Sequence, residues 1–159
     1  VSLNLHATVR AAIQSVNPDR TVAYVQSTGY TRNSAGKQIP AYAAPVLVQA
    51  QIQPPSARDL RHLDFLNIQG TIRTVFLFSN PQGIDRIDAR GGDLLVFPQF
   101  SGAPLDNWLI VRPDETWDVG QGGWSKLFAV LQTDRPTNYV LDSQGNFITD
   151  SDGNPVLSS

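Results

Sequence analysis

Apolar residues recur along this chain at two periods, and the change between them divides it. Over residues 2–16, Leu5, Val9, Ala12, Ile13 and Val16 follow one another at spacings of four, three, one and three. That spacing places them on one face of a helix, with His6, Arg10 and Gln14 opposite. Ser2 or Asn4 caps its start, and Asn17-Pro18 stops it. One amphipathic helix of this length is not stable in isolation. Leu5, Val9 and Ile13 are therefore expected to pack on the rest of the domain or on a neighbouring subunit.

From Asp19 the period becomes two. Val22, Tyr24 and Gln26 share one face of a strand, with Ala23 and Val25 on the other. Residues 29–38 read as a polar turn. The β pattern resumes over 39–52, where Val46, Val48, Ala50 and Ile52 share a face, so the two runs make a hairpin. Pro40 and Pro45 confine the start of its second arm to an edge or irregular position. Pro54-Pro55 ends the strand, and a short second helix follows with Ser56 as N-cap and Asp59 at its third helical position. Short runs at 72–78, 83–87, 93–97, 108–112, 116–119 and 124–133 are then each bounded by turn residues. The pattern predicts a mainly β chain, a small β-barrel or sandwich, rather than a βαβ fold.

The final stretch, 134–159, carries Asp142-Ser-Gln-Gly-Asn and, eight residues later, Asp150-Ser-Asp-Gly-Asn. Apolar pairs flank them: Val140-Leu141, Phe147-Ile148 and Val156-Leu157. Each copy reads as a tight turn whose Gly supplies positive φ. A C-terminal β-hairpin extension, or a strand that pairs with another chain, is expected, with Pro136 marking the hinge. The organisation is an N-terminal helix over 1–18, a barrel over 19–133 and a docking tail over 134–159.

Composition narrows the functional classes. At 159 residues the chain is sized for one domain plus appendages. Charged residues make up only 16%, which suits a surface partly covered by neighbours. The net charge of −2 carries no basic bias of the kind a sequence-specific nucleic-acid reader shows. Cysteine is absent, which removes disulfides, thiolate zinc sites and a thiol nucleophile; the two histidines, His6 and His62, are too few for a His-based metal cluster. No apolar run has membrane-spanning length and no leader pattern is present, so no membrane association is expected. With no Met in the chain, an initiator Met removed ahead of Val1 is the expected start.

The candidate chemistry is thin. Asp150, Asp152 and Gly153 resemble the opening of a calcium loop, but a bidentate Glu at the twelfth place is missing, and a hairpin turn explains them better. Asp85, Asp88, Asp93, Asp114, Glu115 and Asp118 could pair for acid–base work, yet they sit at turn edges with no partner His. Gly91-Gly92 and Gly120-Gln-Gly-Gly123 lack the Lys-Ser/Thr of a phosphate cradle. Trp108, Trp117 and Trp124 suit either a barrel core or interface or a sugar-binding face, the former being the usual place. Arg58, Arg61, His62 and Arg73 form a modest basic cluster diluted by Asp59 and Asp64, better suited to a solvated face or inter-subunit ion pairs than to DNA. No enzyme and no cofactor are expected.

The order of phrases carries a resemblance. LNLHATVRAAIQSVNP (3–18) precedes STGYTRNSAGKQIPAY (27–42). There follow VQAQIQPPSARDLRHLDFLNIQGTIRTVFL (48–77), ARGGDLLVF (89–97), NWLIV (107–111) and GGWSKLFAVLQ (122–132). Over residues 3–132 this resembles the small neck or collar proteins of tailed bacteriophages and prophages, which sit between the portal and the tail. The resemblance implies a structural connector of the head-closure type, a β-barrel that forms a ring, hexameric in preference to dodecameric, around the channel that DNA crosses. It implies a virion location after assembly in the host cytoplasm. The implied partners are a portal or head–tail adaptor protein on one side and a tail terminator or gateway protein on the other, with genomic DNA met only in passage through the lumen. A ring interface is heterologous, so opposite faces of the subunit must be complementary.

On that reading the inter-subunit contact candidates are Leu5, Val9, Ile13, Arg58, Arg61, Trp117, Trp124, Phe147 and Ile148. Loops that reach the lumen or the adjacent ring are expected at 29–38 and 98–106, with Arg32, Lys37, Gln99 and Phe100 as candidate residues. Two alternatives stand beside it: a tail terminator or tail-completion ring, and a carbohydrate-binding β-module using surface Trp.

Overall fold

The computed structural model describes residues 15–65, 70–77, 92–117, 124–133 and 138–158. The helix expected over 2–16, with Leu5, Val9 and Ile13, and the strand expected over 83–87 lie outside the described residues apart from Ser15 and Val16, which form a turn.

The chain is mainly β. Its strands are β1 (Arg20–Val25), β2 (Ser27–Arg32), β3 (Gln38–Tyr42), β4 (Val46–Gln53), β5 (Ile72–Leu77), β6 (Leu94–Pro98), β7 (Leu105–Trp117) and β8 (Trp124–Leu131), with a helix α1 (Ala57–Phe65) between β4 and β5. Six of them close an antiparallel barrel in the order β1-β4-β5-β8-β7-β6, and β6 pairs back onto β1. Closure removes the free edges that an open sheet would expose.

Alternation along each strand sorts the side chains into two cores. Val22 and Tyr24 from β1, Val75 and Leu77 from β5, and Leu127 and Ala129 from β8 point into the barrel with Ala50, Leu95, Phe97, Trp108 and Ile110. Trp108 is fully buried; its ring stacks on Phe97 at 4.6 Å between centroids, and its indole N–H donates to the Phe97 carbonyl at 3.0 Å. The intervening residues face outward and are covered in two places. Helix α1 lays Leu63 over Ile72, Phe128 and Val130. The C-terminal segment covers Ala23, Val25, Val96 and Leu105.

Strand β7 differs from the expectation of two short strands at 108–112 and 116–119. It runs as one 13-residue strand because Pro113-Asp114, read as a turn, is absorbed by bulges. The register shifts between Ile110 and Arg112 and again between Pro113 and Glu115, leaving Val111 and Asp114 as the extra residues. Both serve the helix side of the barrel: Val111 packs on the Leu63 cluster, and Asp114 binds Lys126.

Candidate functional site

The hairpin expected from the sequence extends beyond the barrel. Only Gln26 separates β1 from β2, and Ala43 N–H donates to the Gln26 carbonyl at 2.8 Å, so pairing continues outward into a two-stranded arm. Half of the polar turn expected over 29–38 is therefore strand, and the turn itself narrows to Asn33–Lys37. Asn33 Oδ1 accepts the N–H groups of Ala35 and Lys37, and Gly36, at φ 75°, donates to the Asn33 carbonyl.

One face of the arm carries Tyr30 opposite Pro40, with Arg32, Gln38 and Tyr42 beside them by alternation. Tyr30 and Tyr42 are 43% and 38% exposed. The arm holds two cations, Arg32 and Lys37, and no acid between residues 27 and 42. Neither cation makes an ion pair among the described residues. Because Asn33 N–H bonds to the Lys37 carbonyl, alternation makes Tyr30 and Pro40 a non-hydrogen-bonded pair. The donor that Pro40 lacks would face outward, which leaves the β3 edge a poorer template than the β2 edge.

The arm is fixed to the barrel by a buried acid. Asp93 is fully buried; one carboxylate oxygen accepts the Tyr24 hydroxyl at 2.5 Å, and the other accepts Ser27 N–H at 2.8 Å, at the junction of β1 and β2. Burial, the hydrogen bond to Asp93 and its charge all push the ionisation of Tyr24 far above its ordinary value of 10.0. Tyr42 is raised too, by burial first, then by Tyr30 and Asp93. The sequence shows Asp93 only as one turn-edge acid among six; no local signal separates it from the others.

The tail is not a simple hairpin. Three isolated bridges join Leu141 to Phe147, Thr149 to Pro155 and Leu157 to Tyr139. Backbone bonds follow the same cycle: Ile148 N–H to the Val140 carbonyl, Val156 N–H to that of Ile148, and Val140 N–H to that of Val156. The segment is a pseudo-threefold ring, its two loops eight residues apart and its third side closed by the pairing of Tyr139 with Leu157. Asp142 Oδ1 accepts the N–H groups of Gln144 and Asn146, and Asp150 Oδ1 those of Asp152 and Asn154. This is the loop already seen at Asn33, so one loop design occurs three times, a relation the sequence carries as Asx-Ser-x-Gly. Bonds from Asn146 outweigh the slight burial at Asp142 and hold its carboxyl below the ordinary 3.8.

Tyr139, Leu141 and Phe147 of this ring pack onto the barrel's outer face, with Tyr139 and Phe147 edge to face at 5.5 Å. Phe147 thus lies against its own chain, while Ile148 is 40% exposed on the other side of the ring.

A third feature is an open groove of about 800 Å³ between α1 and the outer faces of β5, β7 and β8. Ser56 and Asp59 cap the helix reciprocally: Ser56 Oγ accepts Asp59 N–H, and Asp59 Oδ2 accepts Ser56 N–H, each at 3.1 Å. Lys126 then bridges Asp59 at 3.0 Å and Asp114 at 2.9 Å. Arg58 and Arg61 lie exposed at the groove's rim. Arg73 does not join them, because its guanidinium sits 5.8 Å over the ring of Trp108.

No model of a known protein family matches the chain, and no curated protein matches it.

Phe100 is 65% exposed and Gln99 half-buried on the short β6–β7 connection, which turns at Gly102 rather than forming a long loop. Trp124 is half-buried edge to face with Phe76, 4.7 Å between centroids. Trp117 pairs with Trp124 in register, and its side chain lies outside the described residues. Trp108, enclosed with its N–H bonded, offers no face to a sugar. Among the acids, Asp59 and Asp114 share Lys126 and Asp93 is enclosed; Asp85, Asp88 and Asp118 lie outside the described residues.

Proposed function

We propose that this chain is a structural subunit of a tailed-bacteriophage neck, a collar or head-closure connector that forms a ring between the portal complex and the tail. The observation that carries the reading is the arm: a two-stranded projection from a small closed barrel, bearing Arg32 and Lys37 at its end and no acid along its length. Such a projection serves a surface of phosphates or a neighbouring subunit, and cations near the end suit a channel through which DNA passes. The phrase order of the sequence supports the same assignment. In this reading Arg32 and Lys37 face the lumen or the adjacent ring, and Trp124 with the groove beside α1 faces a neighbour.

Immunogold imaging of purified particles from a phage encoding the chain tests this directly. Label is expected at the head–tail junction, and particles lacking the gene are expected as filled heads without tails. Label elsewhere, or overlong tails without heads, overturns it; the latter would assign the chain to the tail terminator instead.

A further inference from the structure

The arm and the tail ring are opposite in charge, and each carries apolar side chains at its centre. The arm presents Tyr30, Pro40 and Tyr42 beside Arg32 on one face, with Lys37 in the turn that ends it. On the tail, the positions facing the barrel alternate with Val140, Ile148 and Val156, the residues whose backbones close the cycle. Their side chains therefore stand on the opposite side of the ring, where Ile148 is exposed and its two counterparts are half-buried. Around them lie Asp142, Asp150 and Asp152, and residues 138–158 contain no cation. Neither Arg32 nor Lys37 meets any of these acids within one copy.

We infer that the arm of one copy docks on the outer face of the tail ring of a second copy. Tyr30 and Tyr42 would cover the Val140–Ile148–Val156 triangle, while Arg32 and Lys37 reach the acidic loops. An apolar centre with a charged, complementary rim is the anatomy of a specific protein interface. The contact joins two different surfaces of the same chain, so it is heterologous and propagates around a ring. The inference rests on the reading of the chain as a ring subunit only for the identity of the occupant.

A charge swap tests it. The arm variant carries Arg32→Glu and Lys37→Glu. The tail variant carries Ser143→Lys, Gln144→Lys, Ser151→Lys and Asp152→Lys, which leaves Asp142 and Asp150 to hold their loops. Sedimentation velocity of the wild-type chain at low salt is expected to show concentration-dependent association that weakens as salt rises. Each variant alone should associate at least about tenfold more weakly, and an equimolar mixture should recover the wild-type behaviour, since each reversed surface then meets its match.

A wild-type chain that stays monomeric, association insensitive to salt, or a mixture that stays dissociated overturns the contact. An arm variant that associates normally but loses duplex-DNA binding overturns it in favour of a polyanion. The salt series needs no variant, so misfolding of a substituted chain does not protect the idea. If the variants associate like the wild type and the chain is still found in the neck, this contact fails and the ring reading survives. If the swap succeeds and the neck is unlabelled, the contact stands and the neck assignment fails.

Discussion

Tyr24 donates its hydroxyl hydrogen to Asp93 from inside the barrel, and the other oxygen of that carboxylate takes the Ser27 N–H where the chain leaves for the arm. The acid thus ties the barrel's core to the root of its projection. Tyr24→Phe removes one of these two bonds and leaves a buried carboxylate less satisfied, which should cost about 1–3 kcal/mol in urea unfolding at neutral pH. Asp93→Ala should cost more and should speed hydrogen exchange at Ser27.

The same pair sets an alkaline response. Tyr24 ionises far more reluctantly when folded than at its ordinary 10.0, so its contribution is complete below that value and lost as pH rises above it. Tyr42 and Tyr139 are shifted in the same direction. Stability should therefore fall above pH 10.0, and Tyr24→Phe should fall less steeply there than the wild type, as read from urea midpoints across pH.

Lys126 makes the opposite kind of link. Its burial alone would lower its pKa, but Asp114 and Asp59 outweigh this and raise it above 10.5. Burial would raise the Asp59 carboxyl, but bonds from Ser56 and Lys126 hold it below 3.8. The bridge therefore contributes between those two values and is lost as pH falls through the acid end or rises past the basic one. Lys126→Met should cost about 1 kcal/mol at neutral pH, and little at pH 3, where the wild type has begun to lose the bridge.

The loops of the tail separate two acids of similar appearance. Asp150→Ala removes an acceptor for two backbone N–H groups and should cost about 1–2 kcal/mol, with faster amide exchange at Asp152 and Asn154. Asp152→Ala should leave stability within about 0.5 kcal/mol of wild type, because its carboxylate makes no bond among the described residues.

Phe147 holds the tail to the barrel. Phe147→Ala should loosen the ring from Ala23, Val25, Val96 and Leu105, seen as increased binding of a hydrophobic dye and cleavage by protease between the barrel and residue 138.

How far these features are legible in the sequence depends on where burial imposes a pattern. The barrel strands are legible because one face of each meets the core: Val22 and Tyr24 alternate with Ala23 and Val25, and Val48, Ala50 and Ile52 keep the same period. The reciprocal cap of Ser56 and Asp59 is legible because it is local. The arm is hidden because a ribbon away from the core has no buried face to enforce alternation, so Gly29 to Arg32 look like a turn. The closure of the tail is hidden for another reason. Its spacing of eight is plain, but the contact of Tyr139 with Leu157 joins its two ends, which no local pattern announces. Asp93 shows nothing locally, since Ser27 and Tyr24, which bond its carboxylate, stand 66 and 69 residues away.

At the tail, the Ser158 N–H lies 2.7 Å from the Asn138 carbonyl. The two ends of this small ring therefore meet at a single point. Residues 138–158 have the form of a portable cassette, which a surface loop of an unrelated protein could accept without its ends being pulled apart. The ring closes where its first and last residues pair.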